Sequence, residues 1–175
     1  MRRLGKALLA IAALVVVYLA IVAGWAAASV DTLLARHPAT PEAALSPSQL
    51  AILLKIEDPT FLAHHGLSLA DGQGVATISS AVARELFLYD APLTGVSGAL
   101  QGFYRAAFEC CKKVDLGRDT MALVLDAHAS KQRQLALYVA TVYMGRHEGW
   151  QVRGLEGAAQ AYLGKPLAEL NDDEM

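Results

Sequence analysis

Apolar and polar positions along this chain follow two regimes. Ala7 to Val30 contains no charged residue, whereas the chain beyond Asp31 mixes apolar and polar positions at helical spacing. At 1.5 Å rise per residue the first stretch makes a helix of roughly 36 Å, longer than a hydrocarbon core of about 30 Å, which predicts a transmembrane helix over 7–30. Arg2, Arg3 and Lys6 precede it, Asp31 follows it and Trp25 lies near its far end. Basic residues favour the cytoplasmic side, so 1–6 is expected in the cytoplasm and the rest outside. Ala26-Ala27-Ala28-Ser29 offers the small residues of a signal cleavage site, but the apolar stretch exceeds the usual signal core, and a retained anchor is the reading.

Residues 31–46 contain Pro38 and Pro41 and read as a connection, with a single domain over 47–175. Ser46-Pro47-Ser48 marks the start of its first helix. Leu50, Leu53, Leu54 and Ile56 give that helix an apolar side, and Pro59 ends it, leaving Glu57 at a helix-to-loop corner. After Gly66, Gly72 and Gly74, the segment Thr77 to Leu88 carries Ile78, Val82 and Leu86 at helical spacing. Asp90 to Gly98 is turn-rich; Ala99 to Lys113 and Thr120 to His128 read as helices separated by Gly117. Ser130 caps a helix over Lys131 to Met144 with Gly145 as a left-handed stop, and Gly154 to Leu163 is a further helix. No alternating strand pattern and no repeat appears, so the predicted fold is mainly α. Leu170 to Glu174 has the acidic, Asn-capped look of a helix beginning, which reads as a truncated or shortened domain.

Composition narrows the partners only slightly. With 15 basic and 17 acidic residues and a net charge of −2, nothing global attracts nucleic acid. Roughly 145 residues beyond the anchor suffice for one core. Cys110 and Cys111 are adjacent, a spacing that rarely permits a disulfide between them, and read as semi-buried thiols. No histidine or cysteine spacing suggests a protein-held metal.

The segment Glu57-Asp58-Pro59-Thr60-Phe61-Leu62-Ala63-His64-His65-Gly66 resembles the first signature of the peptidoglycan glycosyltransferase (transglycosylase) domains, glycosyltransferase family 51, Glu-Asp-x-x-Phe-x-x-His-x-Gly. All the fixed positions match. Gly74 to Leu88 is similar in part to the second signature: Thr77, Ile78, Ala83 and Leu86 stand in place and Arg84 replaces a lysine, while Ala76, Ser80 and Ala81 remove a serine and both glutamines. The stretch between the two signatures is shorter than the family's mobile, lipid-facing subdomain. Ser130 to Val139 resembles the family's Ser-Lys-x-x-Ile-Leu-Glu-x-Tyr helix, with Lys131 and Tyr138 matched and Ala136 and Ala140 in place of glutamate and asparagine. Gly154 to Pro166 is close to the family's Gly-Ile-x-x-Ala-Ala-x-x-Tyr-Phe-Gly-Lys pattern.

The resemblance implies a lysozyme-like helical fold and a lipid-linked disaccharide substrate. It makes Glu57 the general base that deprotonates the acceptor sugar's hydroxyl, a task that suits a partly desolvated carboxylate at a cleft corner. The family's Arg-Lys-x-x-Glu motif, source of its second carboxylate, has no clean counterpart. Counting back from Leu125-Asp126 without gaps puts Arg118 in that glutamate's place, while Arg105-Ala106-Ala107-Phe108-Glu109 keeps the spacing only with an insertion. Glu57 and Glu109 are therefore the catalytic candidates. Asp58, Phe61, His64, Thr77, Arg84, Arg105, Arg118 and Lys131 are the substrate-binding candidates, with His64 also read as a buttress of the Glu57 loop and Tyr138 as a core aromatic. No cofactor is expected beyond a divalent cation at the diphosphate. Three functions fit the sequence: a glycan-polymerising enzyme of the bacterial inner membrane with an external domain, a catalytically impaired scaffold or regulator of other cell-wall synthesis proteins, and a lysozyme-like glycan-cleaving enzyme.

Overall fold

A computed structural model describes residues 2–38, 45–69, 76–110 and 115–175. The apolar N-terminal segment forms one helix, α1 (Arg2–Arg36), which absorbs the first part of the expected 31–46 connection. Arg3 to Val17 is exposed all round, but from Tyr18 onward one side is covered: Val22, Trp25, Ala26, Ser29, Val30 and Leu33 are buried at three- and four-residue spacing. The second half of this apolar helix is thus a core helix of the domain. It packs along α5 (Leu116–His128), α4 (Gly95–Cys110) and the π-helical turn Arg84–Tyr89.

α2 (Pro47–Glu57) starts at Ser46, whose hydroxyl accepts from the Gln49 backbone while the Gln49 side chain accepts from the Ser46 backbone. Gln49 is buried and its amide also donates to the carbonyls of Leu167 (2.8 Å) and Leu170 (3.3 Å), tying the C-terminal turn Leu167–Glu169 to α2. α3 (Ile78–Ala83) opens with a reciprocal cap between Thr77 and Ser80 and continues as a wider, π-helical turn over Arg84–Tyr89. α5 starts earlier than the expected Thr120, because Asp115 caps it through the Arg118 backbone (3.0 Å). Gly117 therefore lies within its first turn.

α6 (Lys131–Thr141) is three residues shorter than its sequence pattern suggests, and the chain then forms a hairpin that the pattern missed. β1 (Tyr143–His147) pairs antiparallel with β2 (Trp150–Arg153). Glu148 and Gly149 form its two-residue turn, both with positive φ (49° and 87°), the geometry that matches strand twist. Gly145 does adopt positive φ (106°), but at an irregularity in the strand pairing rather than at a helix stop. These strands are too short and exposed to show period-two alternation. α7 (Gly154–Ala158), with a π-helical continuation over Ala159–Leu163, closes the fold.

Candidate active-site cleft

Glu57 sits at the end of α2, at the corner where Pro59 turns the chain. What holds this corner lies behind it. Asp58 is fully buried, and its Oδ2 accepts from the backbone of Ile78 at the start of α3 (2.9 Å) and lies 2.9 Å from His64 Nε2. Phe61 is buried edge-on to the His64 ring, with Lys131 Nζ 4.7 Å above its centre. Thr77 reaches back, donating from Oγ1 to the Gly66 carbonyl (2.7 Å). The aspartate, phenylalanine, histidine and glycine of the signature thus form a buried knot that fastens the corner to α3, leaving Glu57 exposed.

In front of the corner lies a cleft of about 140 Å³ lined by Glu57, Thr77, Ser80, Arg84, Arg118 and Tyr138 together with Ala76, Ile78 and Ala81. Tyr138 donates from its hydroxyl to Glu57 Oε2 (3.0 Å). Burial first, then the charge and hydrogen bond of Glu57, raise the Tyr138 phenol well above its ordinary value, so it stays a donor. Its position was legible only as a core aromatic; α6 spacing sets it one turn beyond Gln134, which faces α3. Gln134 is fully buried, accepting from Ser79 Oγ (2.6 Å) and donating to Asp126 (2.9 Å) and the Ala129 carbonyl (2.8 Å).

Of the sequence candidates, the cleft brings together Glu57, Thr77, Arg84 and Arg118. Arg84 is held by Glu85 (3.1 Å), a buried carboxylate that also pairs with Arg153 of β2. Arg118 is held by Asp119, whose Oδ1 accepts from Nε (3.0 Å) and Nη2 (2.6 Å). The others lie elsewhere. Asp58, Phe61 and His64 are wall rather than lining. Lys131 pairs with Asp126 (2.6 Å) behind it. Arg105 donates to the Leu88 carbonyl (2.6 Å), satisfying a helix-end acceptor. Glu109 is exposed near the end of α4, outside the cleft lining, with its charge felt at Tyr89. Lys112 and Lys113, at the end of the expected Ala99 to Lys113 helix, fall outside the described residues, as does the 70–75 part of the shortened segment between the signatures.

The domain ends a helix on a glutamate, buttresses that corner with a buried aspartate–histidine pair and lines the facing cleft with basic side chains, all within a mainly helical, lysozyme-like fold. Residues 30–175 match the Transglycosylase family, and the chain belongs to it. It is similar to penicillin-binding protein 1B of Buchnera aphidicola subsp. Baizongia pistaciae (31% identity over 136 residues, 70% of this chain and 16% of that protein). It is likewise similar to penicillin-binding protein 1B of Escherichia coli (30% over 136 residues, 70% and 14%) and of Vibrio cholerae (30% over 137 residues, 70% and 15%). The chain therefore corresponds to about one-sixth or less of the length of these relatives.

Proposed function

We propose that this cleft binds the diphosphate of a lipid-linked cell-wall disaccharide and turns it over slowly or not at all, so that the protein serves as a substrate-holding partner of cell-wall enzymes. Its place is the bacterial inner membrane, crossed once by α1, with the domain on the external side that the basic N-terminus favours. One observation supports this reading above others: Arg118 lies in the cleft with Glu57, at the position where the family resemblance calls for a second carboxylate. Glu109, the alternative carboxylate, lies outside that lining.

The chemistry follows from the charges. Among the described residues, Glu57 is the one carboxylate lining the cleft, facing the guanidiniums of Arg84 and Arg118. Two guanidiniums suit a diphosphate, which they can hold by charge-assisted hydrogen bonds. Glu57 can still accept a sugar hydroxyl's proton, but without the second carboxylate the developing charges lack a partner. Losing one such contact typically slows a reaction by roughly 10²- to 10³-fold.

The test uses the full chain in lipid vesicles with radiolabelled lipid-linked disaccharide diphosphate, measuring retention and polymer separately. Retention without family-level polymer is expected. Arg84→Gln and Arg118→Gln should each weaken retention by roughly 10-fold or more, as loss of a hydrogen bond to a charged group implies, whereas Glu57→Gln should leave it. Rapid polymerisation abolished by Glu57→Gln would instead make the protein an active polymerase. Residual polymer lost in both Glu57→Gln and Glu109→Gln would give Glu109 the second carboxylate's role.

A further inference from the structure

The free part of α1 is too short to cross a bilayer alone. Its fully exposed run ends at Val17, and from Tyr18 the domain covers one side. A span needs about 20 residues at 1.5 Å each. Counted from Ala7, the first residue past the basic cluster, it reaches Ala26. The turns between Tyr18 and Ala26, roughly 12 Å of helix, then lie in hydrocarbon with the domain already packed against them.

What packs there includes α4. The Trp25 indole N–H donates to the Ser97 carbonyl (3.1 Å), and the Tyr104 ring stands 5.0 Å from Trp25 and 6.1 Å from Tyr18. Gln101 and Arg105 turn inward: Gln101 is buried, donating to the Phe87 carbonyl (3.0 Å) and accepting from the Leu93 backbone (2.9 Å), and Arg105 reaches Leu88, whereas Glu109, one turn past Ala106 near the helix end, is exposed. The outward side is Val96, Ala99, Gly102, Phe103 and Ala106, without a polar side chain, with Val96 78% and Phe103 59% exposed. A helix facing water carries its polar residues outside; over these turns α4 is built the other way round.

We infer that α4 is a lipid-facing helix, seated in the domain-side leaflet with Val96, Ala99, Phe103 and Ala106 against acyl chains. The inference rests on α1 crossing the membrane, and is independent of what the Glu57 cleft binds. Acyl chains are the occupant because α1 carries this face to bilayer depth whatever else is present. Ile21, on the α1 helix that α4 packs against, is likewise an exposed apolar side chain (49%). Leu116 (46% exposed) is another at the start of α5, beside Gly117, where an added methyl would stand 2.5 Å from the Tyr18 hydroxyl.

Nitroxide labels test this in the full chain, reconstituted in phosphatidylethanolamine–phosphatidylglycerol vesicles. With Cys110→Ser and Cys111→Ser, single cysteines at Ala99, Phe103 and Ala106 are labelled, and collisions with lipid-soluble oxygen and a water-soluble nickel chelate are compared. Labels at Leu9 and Trp150 give the bilayer and water references. Oxygen access severalfold above nickel access, as at Leu9, is expected at all three α4 sites. Nickel access there with Leu9 shielded overturns the inference and spares the anchor; nickel access at Leu9 as well overturns both. Shielding from both reagents would assign the face to a protein partner, also overturning it. The two alanine sites already face outward, so they keep the test available if replacing Phe103 disturbs folding.

Discussion

Gly66 holds φ at 88°, and a methyl on its Cα would stand 2.7 Å from the Ala122 carbonyl oxygen, which belongs to a helix backbone and cannot swing aside. Gly66→Ala is accordingly expected to destabilise the domain by roughly 2–3 kcal/mol, read from denaturant unfolding in detergent; a change below about 0.5 kcal/mol would show that the corner relaxes. Tyr138→Phe removes only the hydroxyl bonded to Glu57, so a smaller loss is expected, about 1–2 kcal/mol, with retention of the lipid substrate unchanged in the same assay. The residue-level chemistry was legible where it is carried by fixed spacing, and Glu57 was read as a corner residue from Pro59 alone. Its neighbours were not separable by sequence: Asp58 and His64 share the motif with Glu57 but turn to the opposite side of the corner, and nothing in the spacing says which side faces solvent. Arg118 was legible as a substitution, whereas its place in the cleft depends on how α5 packs against α3.

The α5–α6 corner shows how elements are tied by a few polar groups. Burial alone would raise the Asp126 carboxyl, but hydrogen bonds from Gln134 and Lys131 outweigh it and hold the group below its ordinary value. A carboxyl depressed in the folded state contributes stability above its unfolded pKa of about 3.9, and that contribution is lost as pH falls through the folded value. Asp126→Asn should therefore lower stability at neutral pH and flatten the acid limb of the unfolding midpoint below about pH 4; a parent and variant that fall in parallel there would rule the carboxylate out as the cause. Most helices were legible because caps, proline or apolar spacing mark them, as at Ser46, Ser130 and the Thr77 to Leu88 segment, whereas the cap at Thr77 itself came only from the structure. The hairpin was not, because Tyr143 to Arg153 offers neither alternation nor the Asn-Gly or Asp-Gly pair that usually announces such a turn.

At the scale of the whole molecule, the division into anchor, connection and domain drawn from the sequence differs from how the chain packs. The composition of α1 hides its second role, because an uninterrupted apolar run carries no polar side from which a buried stripe could be distinguished. Trp25 is 5% exposed between Phe87 and Tyr104, and Trp25→Ala should cost about 3–5 kcal/mol in the unfolding of the full chain. Deleting residues 1–36 should leave a domain that binds hydrophobic dye and melts without a cooperative transition; a sharp melt would show that α1 is dispensable to the core. The same packing has a mechanical side. Arg36 is fastened to the Ala91 carbonyl and to Asp90, and Arg133 of α6 grips the Leu34 and His37 carbonyls where α1 ends. Among the described residues these contacts leave no swivel between shaft and head, so with α1 crossing the bilayer as proposed, any lean imposed on the shaft is a lean of the Glu57 cleft through the same angle, and membrane thickness would set the height of that cleft above the headgroups.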